Sequence, residues 1–255
     1  MHLRPSSPVP PRGGADAARP DGSPPSLRHS WPLHWSDIGL LILAYAVITA
    51  AWVGIGELIM GPLDHSVGDV DRRVADAFAS GRTDQLNSLS YWAAMMSDTY
   101  TKIVVTAVVL VVMLWRWRSW REPLYVAAAL ILEACCFLTI TLIVARPRPD
   151  VVRLDGSPVD SSFPSGHVAA AVCYGAFAVV VFLHTAKWWP RVLAVVLTVA
   201  VASAVAWARM YRGMHFLSDV IAGAVLGLVS LVVTWWILEH AHRRQLDHEL
   251  ERELG

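Results

Sequence analysis

Residues 209–219, Arg209-Met210-Tyr211-Arg212-Gly213-Met214-His215-Phe216-Leu217-Ser218-Asp219, gather two arginines, a histidine and a carboxylate between two long apolar runs. His215 and Asp219 are four apart, and on a helix that spacing puts them on one face. A carboxylate so placed can hold an imidazole in one tautomer and stabilise its charged form. Arg209 offers a planar fork of donors suited to phosphate. The chemistry that fits this set is phosphoryl transfer with a histidine as nucleophile.

Two further pieces carry compatible chemistry. Ser162-Phe163-Pro164-Ser165-Gly166-His167 stands directly before an apolar run. Pro164-Ser165-Gly166 at a helix start presents free backbone N–H groups and the positive end of the helix dipole, a natural phosphate cradle. Gly166 lets the backbone approach an oxyanion closely, and His167 can donate a proton to a leaving oxygen. The other piece, Arg146-Pro147-Arg148-Pro149-Asp150, adds two guanidinium groups.

Composition says what must position these residues. The chain has 255 residues, 55% of them hydrophobic, with 12 Trp and a mean hydropathy of +0.45. That is too apolar for an ordinary soluble domain. The apolar residues fall in blocks that approach the roughly 20 residues a bilayer-spanning helix needs. A net charge of +0 gives no argument for a nucleic-acid partner. Cys135, Cys136 and Cys173 lie inside apolar blocks without metal-ligand spacing and read as small buried hydrophobes. No carboxylate cluster with metal-ligand spacing sits beside the polar motifs, so no metal and no cofactor is expected.

In chain order, residues 1–34 form a basic tail rich in proline with nothing to bury, expected to be disordered and cytoplasmic. The first span runs from about Ile38 to Met60, with Trp31 and Trp35 at its edge. The polar stretch from Asp64 to Asp98 has apolar residues at helical spacing. It reads as short amphipathic helices on the membrane face or against the bundle, with Asp69, Asp71, Asp76, Arg72, Arg73 and Arg82 on the solvated side. Further spans follow over about 103–114, 123–145, 167–183, 192–208 and 216–238, and residues 240–255 form a charged helical tail. Glu133 lies inside the third span, either a functional carboxylate or a partner for a neighbouring helix. The fold class is therefore all-α: one polytopic bundle of six transmembrane helices over residues 35–239.

Six spans put both termini on one side. Arg116, Arg118, Arg121, Lys187, Arg191, Arg243 and Arg244 then mark the cytoplasmic face. The 146–166 loop and the 209–215 turn share the opposite, extracytoplasmic face, so the polar motifs converge there. His184, His240 and His242 fall on the cytoplasmic side. Tyr211 and Met214 read as packing residues, Arg212 as phosphate-facing or interfacial, and Asp150 and Asp160 as loop solvation or partners for the arginines.

Together these motifs resemble the type 2 phosphatidic acid phosphatase superfamily. Its signature joins Lys-x6-Arg-Pro, Pro-Ser-Gly-His and Ser-Arg-x5-His-x3-Asp. Arg148-Pro149 matches the end of the first, Pro164 to His167 the whole second, and Arg209, His215 and Asp219 the third. Two positions depart: the family's lysine falls at Thr141, and the serine before the arginine is Ala208. Arg146 is expected to supply the missing charge.

The resemblance implies a metal-independent lipid phosphatase in which His215 becomes phosphorylated and Asp219 orients it. His167 would protonate the leaving alkoxide and then activate water. Arg148, Arg209, Arg146 and the Ser165 and Gly166 amides would hold the phosphoryl oxygens. The implied substrate is a membrane lipid phosphate monoester of the phosphatidic acid or phosphatidylglycerol phosphate type. Two alternatives stay open: a polyprenyl (undecaprenyl) diphosphate phosphatase, and a catalytically altered, non-enzymatic relative. Six apolar spans argue against the soluble vanadate-dependent haloperoxidases of the same superfamily. Nothing in the sequence fixes an oligomeric state.

Overall fold

The computed structural model describes residues 33–156 and 160–254. Up to residue 32, the expected N-terminal tail lies outside the described residues. All regular structure among the described residues is helical. Helix α1 spans Trp35–Met60, and a π-helical turn over Asp64–Gly68 leads into α2 (Asp69–Ser80) and α3 (Asp84–Met95). There follow α4 (Thr99–Trp117), α5 (Arg121–Val144), α6 (Gly166–Cys173), α7 (Gly175–His184), α8 (Trp188–Tyr211) and α9 (Leu217–Leu254).

Six helical segments are long and apolar enough to cross a membrane, α6 and α7 jointly forming one of them. The six-span helical bundle expected from the sequence is the one observed. The α9 helix does not stop at the last apolar residue. It continues unbroken to Leu254, and Arg244 there reaches back to Asp37 and to Ser36 Oγ (3.3 Å) at the start of α1. Asp37 also accepts from the His34 amide at 2.9 Å, closing the first turn of α1. The 64–98 insert folds as the expected short helices, with Thr83 Oγ1 capping α3 at the Leu86 amide (3.3 Å).

The core that supports the polar face joins α1, α5, α6 and α9 through Trp52, Ile140, Phe163, Ala169 and Leu226. Polar bonds cross it: Trp52 Nε1 donates to the Ala222 carbonyl at 3.0 Å, and the Tyr45 and Thr139 hydroxyls meet at 2.8 Å. Helices α6 and α9 touch backbone to backbone. A Cβ on Gly223 would lie 2.4 Å from the Ser165 carbonyl oxygen, and one on Gly227 would lie 2.4 Å from that of Ala169. Small residues permit this approach where no hydrophobic force draws helices together in lipid. It sets how near the start of α6, which carries His167, comes to the start of α9, which carries Asp219.

Gly227→Ala is therefore expected to force the two helices apart and to lower stability by about 1–3 kcal/mol. Thermal unfolding in detergent measures this. An unchanged midpoint would mean that α6 and α9 are not in backbone contact.

Candidate active site

The six-residue step from Arg209 to His215 is the geometry of a helix ending. Helix α8 closes with Gly213 in the left-handed region (φ +71°). The Met214 amide bonds back to the Arg209 carbonyl, and the Gly213 amide to that of Met210, each at 3.0 Å. This paired closure is a Schellman motif, which needs glycine at its left-handed position. Arg209 thus sits in the last turn of α8, and His215 leaves the cap beside it. Arg82, between α2 and α3, secures the same helix end by donating through Nε to the Tyr211 carbonyl (3.1 Å) and through Nη1 to that of Val152 (2.6 Å).

His215 is buried, and its Nδ1 lies 2.6 Å from the Ser162 carbonyl oxygen. A carbonyl only accepts, so Nδ1 carries the proton and Nε2 keeps its lone pair. Ser162 is itself held by the segment after α5. Its amide donates to the Arg146 carbonyl at 2.8 Å, and its hydroxyl to that of Pro147 at 3.0 Å. Burial, followed by the Arg209 and Arg148 charges, holds the His215 pKa well below 6.5, with the Ser162 bond opposing. In the free site the imidazole is neutral.

Asp219 is fully buried, and the described hydrogen bonds of its carboxylate do not include His215. One oxygen accepts from Arg146 Nη1 at 2.5 Å, and the other from the Phe216 amide at 2.8 Å. The latter contact closes the first turn of α9 directly after His215. Arg146 also binds Asp71 of α2 through Nη2 (2.8 Å) and Ser218 Oγ through Nη1 (2.8 Å). Asp71 accepts from the Ser218 amide at 2.9 Å and from its hydroxyl. The Arg146 guanidinium stacks 4.4 Å from the Phe216 ring centre.

A cavity of about 600 Å³ opens beside these groups, lined by His215, His167, Gly166, Arg148, Arg209 and Lys102 among others. Arg148 Nη1 donates to the Met214 carbonyl at 2.5 Å. Arg209 Nη1 bonds Asp155 Oδ2 at 3.1 Å, while its buried Nε has no hydrogen-bond partner among the described residues. Asp155 is shared with Arg212, whose Nε and Nη2 reach it at 2.6 Å each. His167 is positioned from the α3–α4 junction, where Ser97 Oγ donates to its carbonyl (2.7 Å) and Asp98 Oδ1 lies 3.9 Å from its Nε2.

Several expected roles change. Arg146 does not line the cavity; two carboxylates and a hydroxyl occupy its guanidinium. Asp219 does not reach the His215 ring, whose orienting acceptor is the Ser162 carbonyl. The Ser165 amide is taken by the Asp219 carbonyl at 3.0 Å, whereas Gly166 lies at the cavity wall. Gly166 is required by packing too, since a Cβ there would meet the Phe137 ring at 2.7 Å. Asp71 and Arg82, expected on a solvated face, both bond into the site. Arg212 ties the loop to α3 through the Asn87 carbonyl and Ser90 Oγ, each at 3.1 Å. Ser97, Asp98, Lys102 and Asp155 had no signal in residue spacing.

Comparison with known proteins agrees with this architecture. The family model of the PAP2 superfamily matches residues 122–243. The Escherichia coli protein named "Putative undecaprenyl-diphosphatase YbjG" is 26% identical over 167 residues, which make up 61% of this chain and 80% of that protein. The undecaprenyl-diphosphatase of Sulfolobus acidocaldarius is 28% identical over 148 residues, 56% of this chain and 66% of that one. Among solved structures, a transmembrane PAP2-type phosphatidylglycerolphosphate phosphatase from Bacillus subtilis aligns with a TM-score of 0.65 at 20% identity. That alignment covers 81% of this chain and 98% of the other, and it speaks for the fold alone.

Removing one member of a buried ion cluster strands the others, at about 3–5 kcal/mol. Arg146→Ala is expected to lower the thermal midpoint strongly, with the KM of the surviving folded protein little changed, while Arg153→Ala alters neither midpoint nor KM. Wild-type stability with a many-fold higher KM would instead make Arg146 a phosphate ligand.

Proposed function

We propose that this chain, whose residues 122–243 match the PAP2 superfamily model, is a metal-independent membrane lipid phosphatase of that superfamily working through a phosphohistidine at His215. The observation that carries this reading is the His215 ring. Its Nδ1 proton is held by a backbone carbonyl, so Nε2 keeps its lone pair, and the residue lines a cavity shared with Arg148, Arg209 and His167.

In this mechanism Nε2 attacks phosphorus in line with the scissile P–O bond. Arg148 and Arg209 hold the phosphoryl oxygens as charge shifts, so guanidinium groups supply the stabilisation a metal gives elsewhere. Arg209 has an open donor at Nε for this contact. When phosphate takes Arg209, Asp155 keeps its two bonds to Arg212. His167 protonates the leaving oxygen and later takes a proton from the water that cleaves the P–N bond. Asp219 acts as a positioning residue through the Phe216 amide and Arg146, and Asp98 supports His167. The active site faces the extracytoplasmic side with both termini cytoplasmic, a reading supported by the basic residues of the opposite loops.

Two substrate classes suit a cavity at a membrane edge. One is a lipid phosphate monoester such as phosphatidic acid or phosphatidylglycerol phosphate. The other is a polyprenyl diphosphate, which the names of the two relatives favour.

Phosphate release by detergent-purified protein, with EDTA present, tests the proposal across all three lipids. Turnover is expected to persist in EDTA and to fall to background in His215→Ala, while His167→Ala loses about 10²–10⁴-fold. Turnover that needs an added divalent ion, or that survives His215→Ala, would overturn it. The pH profile gives an independent check. Because His215 is held neutral, the acid limb of kcat/KM is expected well below pH 6.5. Arg209→Gln removes a cation that disfavours the imidazolium, so the pKa rises and the acid limb moves to higher pH. An acid limb that stays put in this variant would contradict the assignment.

A further inference from the structure

Of the three Lys and Arg side chains that line the cavity among the described residues, Arg148 and Arg209 belong to the recognised motifs and Lys102 does not. Lys102 lies one turn into α4, within a segment apolar enough to span the bilayer. An ammonium there is expensive and is kept only where it has a partner or a task. Position 141, where the family carries its lysine, cannot supply this charge. Thr141 is buried, donates to the Phe163 carbonyl at 3.2 Å and does not line the cavity.

The surroundings of Lys102 define the task. Its charge acts on His167 and on Glu133 of α5. Glu133 is fully buried, and neither carboxylate oxygen has a hydrogen-bond partner among the described residues. Phe137, four residues on, lines the cavity, so Glu133 lies one helical turn beneath the cavity wall. Of the carboxylates that line the cavity among the described residues, Asp155 is engaged by Arg209 and Arg212, and Asp98 caps α4 at the Tyr100 amide. All three cations act on His167, Arg209 ahead of Lys102, but only Arg148 and Arg209 also act on the nucleophile His215. The Lys102 amide donates to the Asp98 carbonyl at 2.8 Å, and Asp98 lies 3.9 Å from His167 Nε2, so Lys102 stands on the side of the cavity where His167 serves the leaving oxygen.

A leaving alkoxide that takes the His167 proton departs neutral and needs no cation. A leaving phosphate monoester departs as an anion. We propose that Lys102 receives the lipid-linked phosphate of a diphosphate substrate, so that the site prefers lipid diphosphates to lipid phosphate monoesters. This rests on the phosphohistidine reading of His215. The His215 Nε2–P bond forms at the terminal phosphorus while the bond from that phosphorus to the bridging oxygen breaks. The electron pair stays on the bridging oxygen, which takes the His167 proton and leaves as lipid monophosphate beside Lys102. Water then cleaves the P–N bond, returning its proton to His167 and releasing inorganic phosphate.

The test compares kcat/KM for a polyprenyl diphosphate and for phosphatidic acid in the same micelles, using wild type, Lys102→Met, Lys102→Arg and His215→Ala. Wild type is expected to prefer the diphosphate. Lys102→Met should lower diphosphate turnover by about ten- to a hundredfold, the scale of one charge-assisted contact. Phosphatidic acid turnover should change far less, and Lys102→Arg should restore most of the preference. Should Lys102→Met fold poorly because Glu133 is left uncompensated, Lys102→Met/Glu133→Gln removes both charges and is expected to show the same loss of preference. A wild type without the preference, or variants that lower both substrates equally, would overturn the proposal for Lys102 while loss of both activities in His215→Ala left the parent mechanism standing. Full activity in His215→Ala, or no turnover of either lipid by wild type, would remove the parent mechanism and this proposal with it.

Discussion

The polar face of this bundle depends on one guanidinium held between two buried carboxylates. Arg146 follows α5, Asp71 comes from α2, and Asp219 lies in the first turn of α9. The arginine and both carboxylates are nearly or wholly excluded from solvent. Such a cluster holds when each charge is paired and fully hydrogen-bonded, and it fails when one member is lost. Here Ser218, the Phe216 amide and the Phe216 ring complete the bonding. The segment after α5, helix α2 and the start of α9 are thereby fixed to one another.

From that anchor the geometry propagates through backbone groups. The Arg146 and Pro147 carbonyls hold Ser162, and the Ser162 carbonyl holds His215. The Asp219 carbonyl holds the Ser165 amide at the head of α6. The Schellman closure of α8 sets the reach from Arg209 to His215, and the glycines of α9 bring it against α6. The functional side chains are thus positioned mostly by main-chain contacts, which explains their close spacing in three short stretches of sequence.

What was legible in the sequence follows from this division. Long apolar runs revealed the six spans, because length and composition decide what crosses a bilayer. The spacings Arg-x5-His and Pro-Ser-Gly-His marked the site because they encode a helix end and a helix start. The partners were less visible. Asp71 sits in an amphipathic helix whose charges otherwise face water, so periodicity assigned it to the solvated side. A carboxylate four residues after a histidine pointed to a ring contact, but a carbonyl fifty-three residues away takes that place. Residue type carries no trace of a backbone acceptor. Lys102 falls just before the apolar run of about 103–114 and belongs to none of the three motifs.

The central claim is that His215 carries the phosphoryl group during turnover. Rapid acid-free quenching of His167→Ala tests it most directly with a labelled phosphate ester whose leaving group departs without protonation, because only water activation is then slowed and the intermediate accumulates. The account predicts labelled protein whose phosphate is stable to base, labile to acid and mapped to His215. Turnover with no labelled protein at any time, or label on another residue, would contradict it.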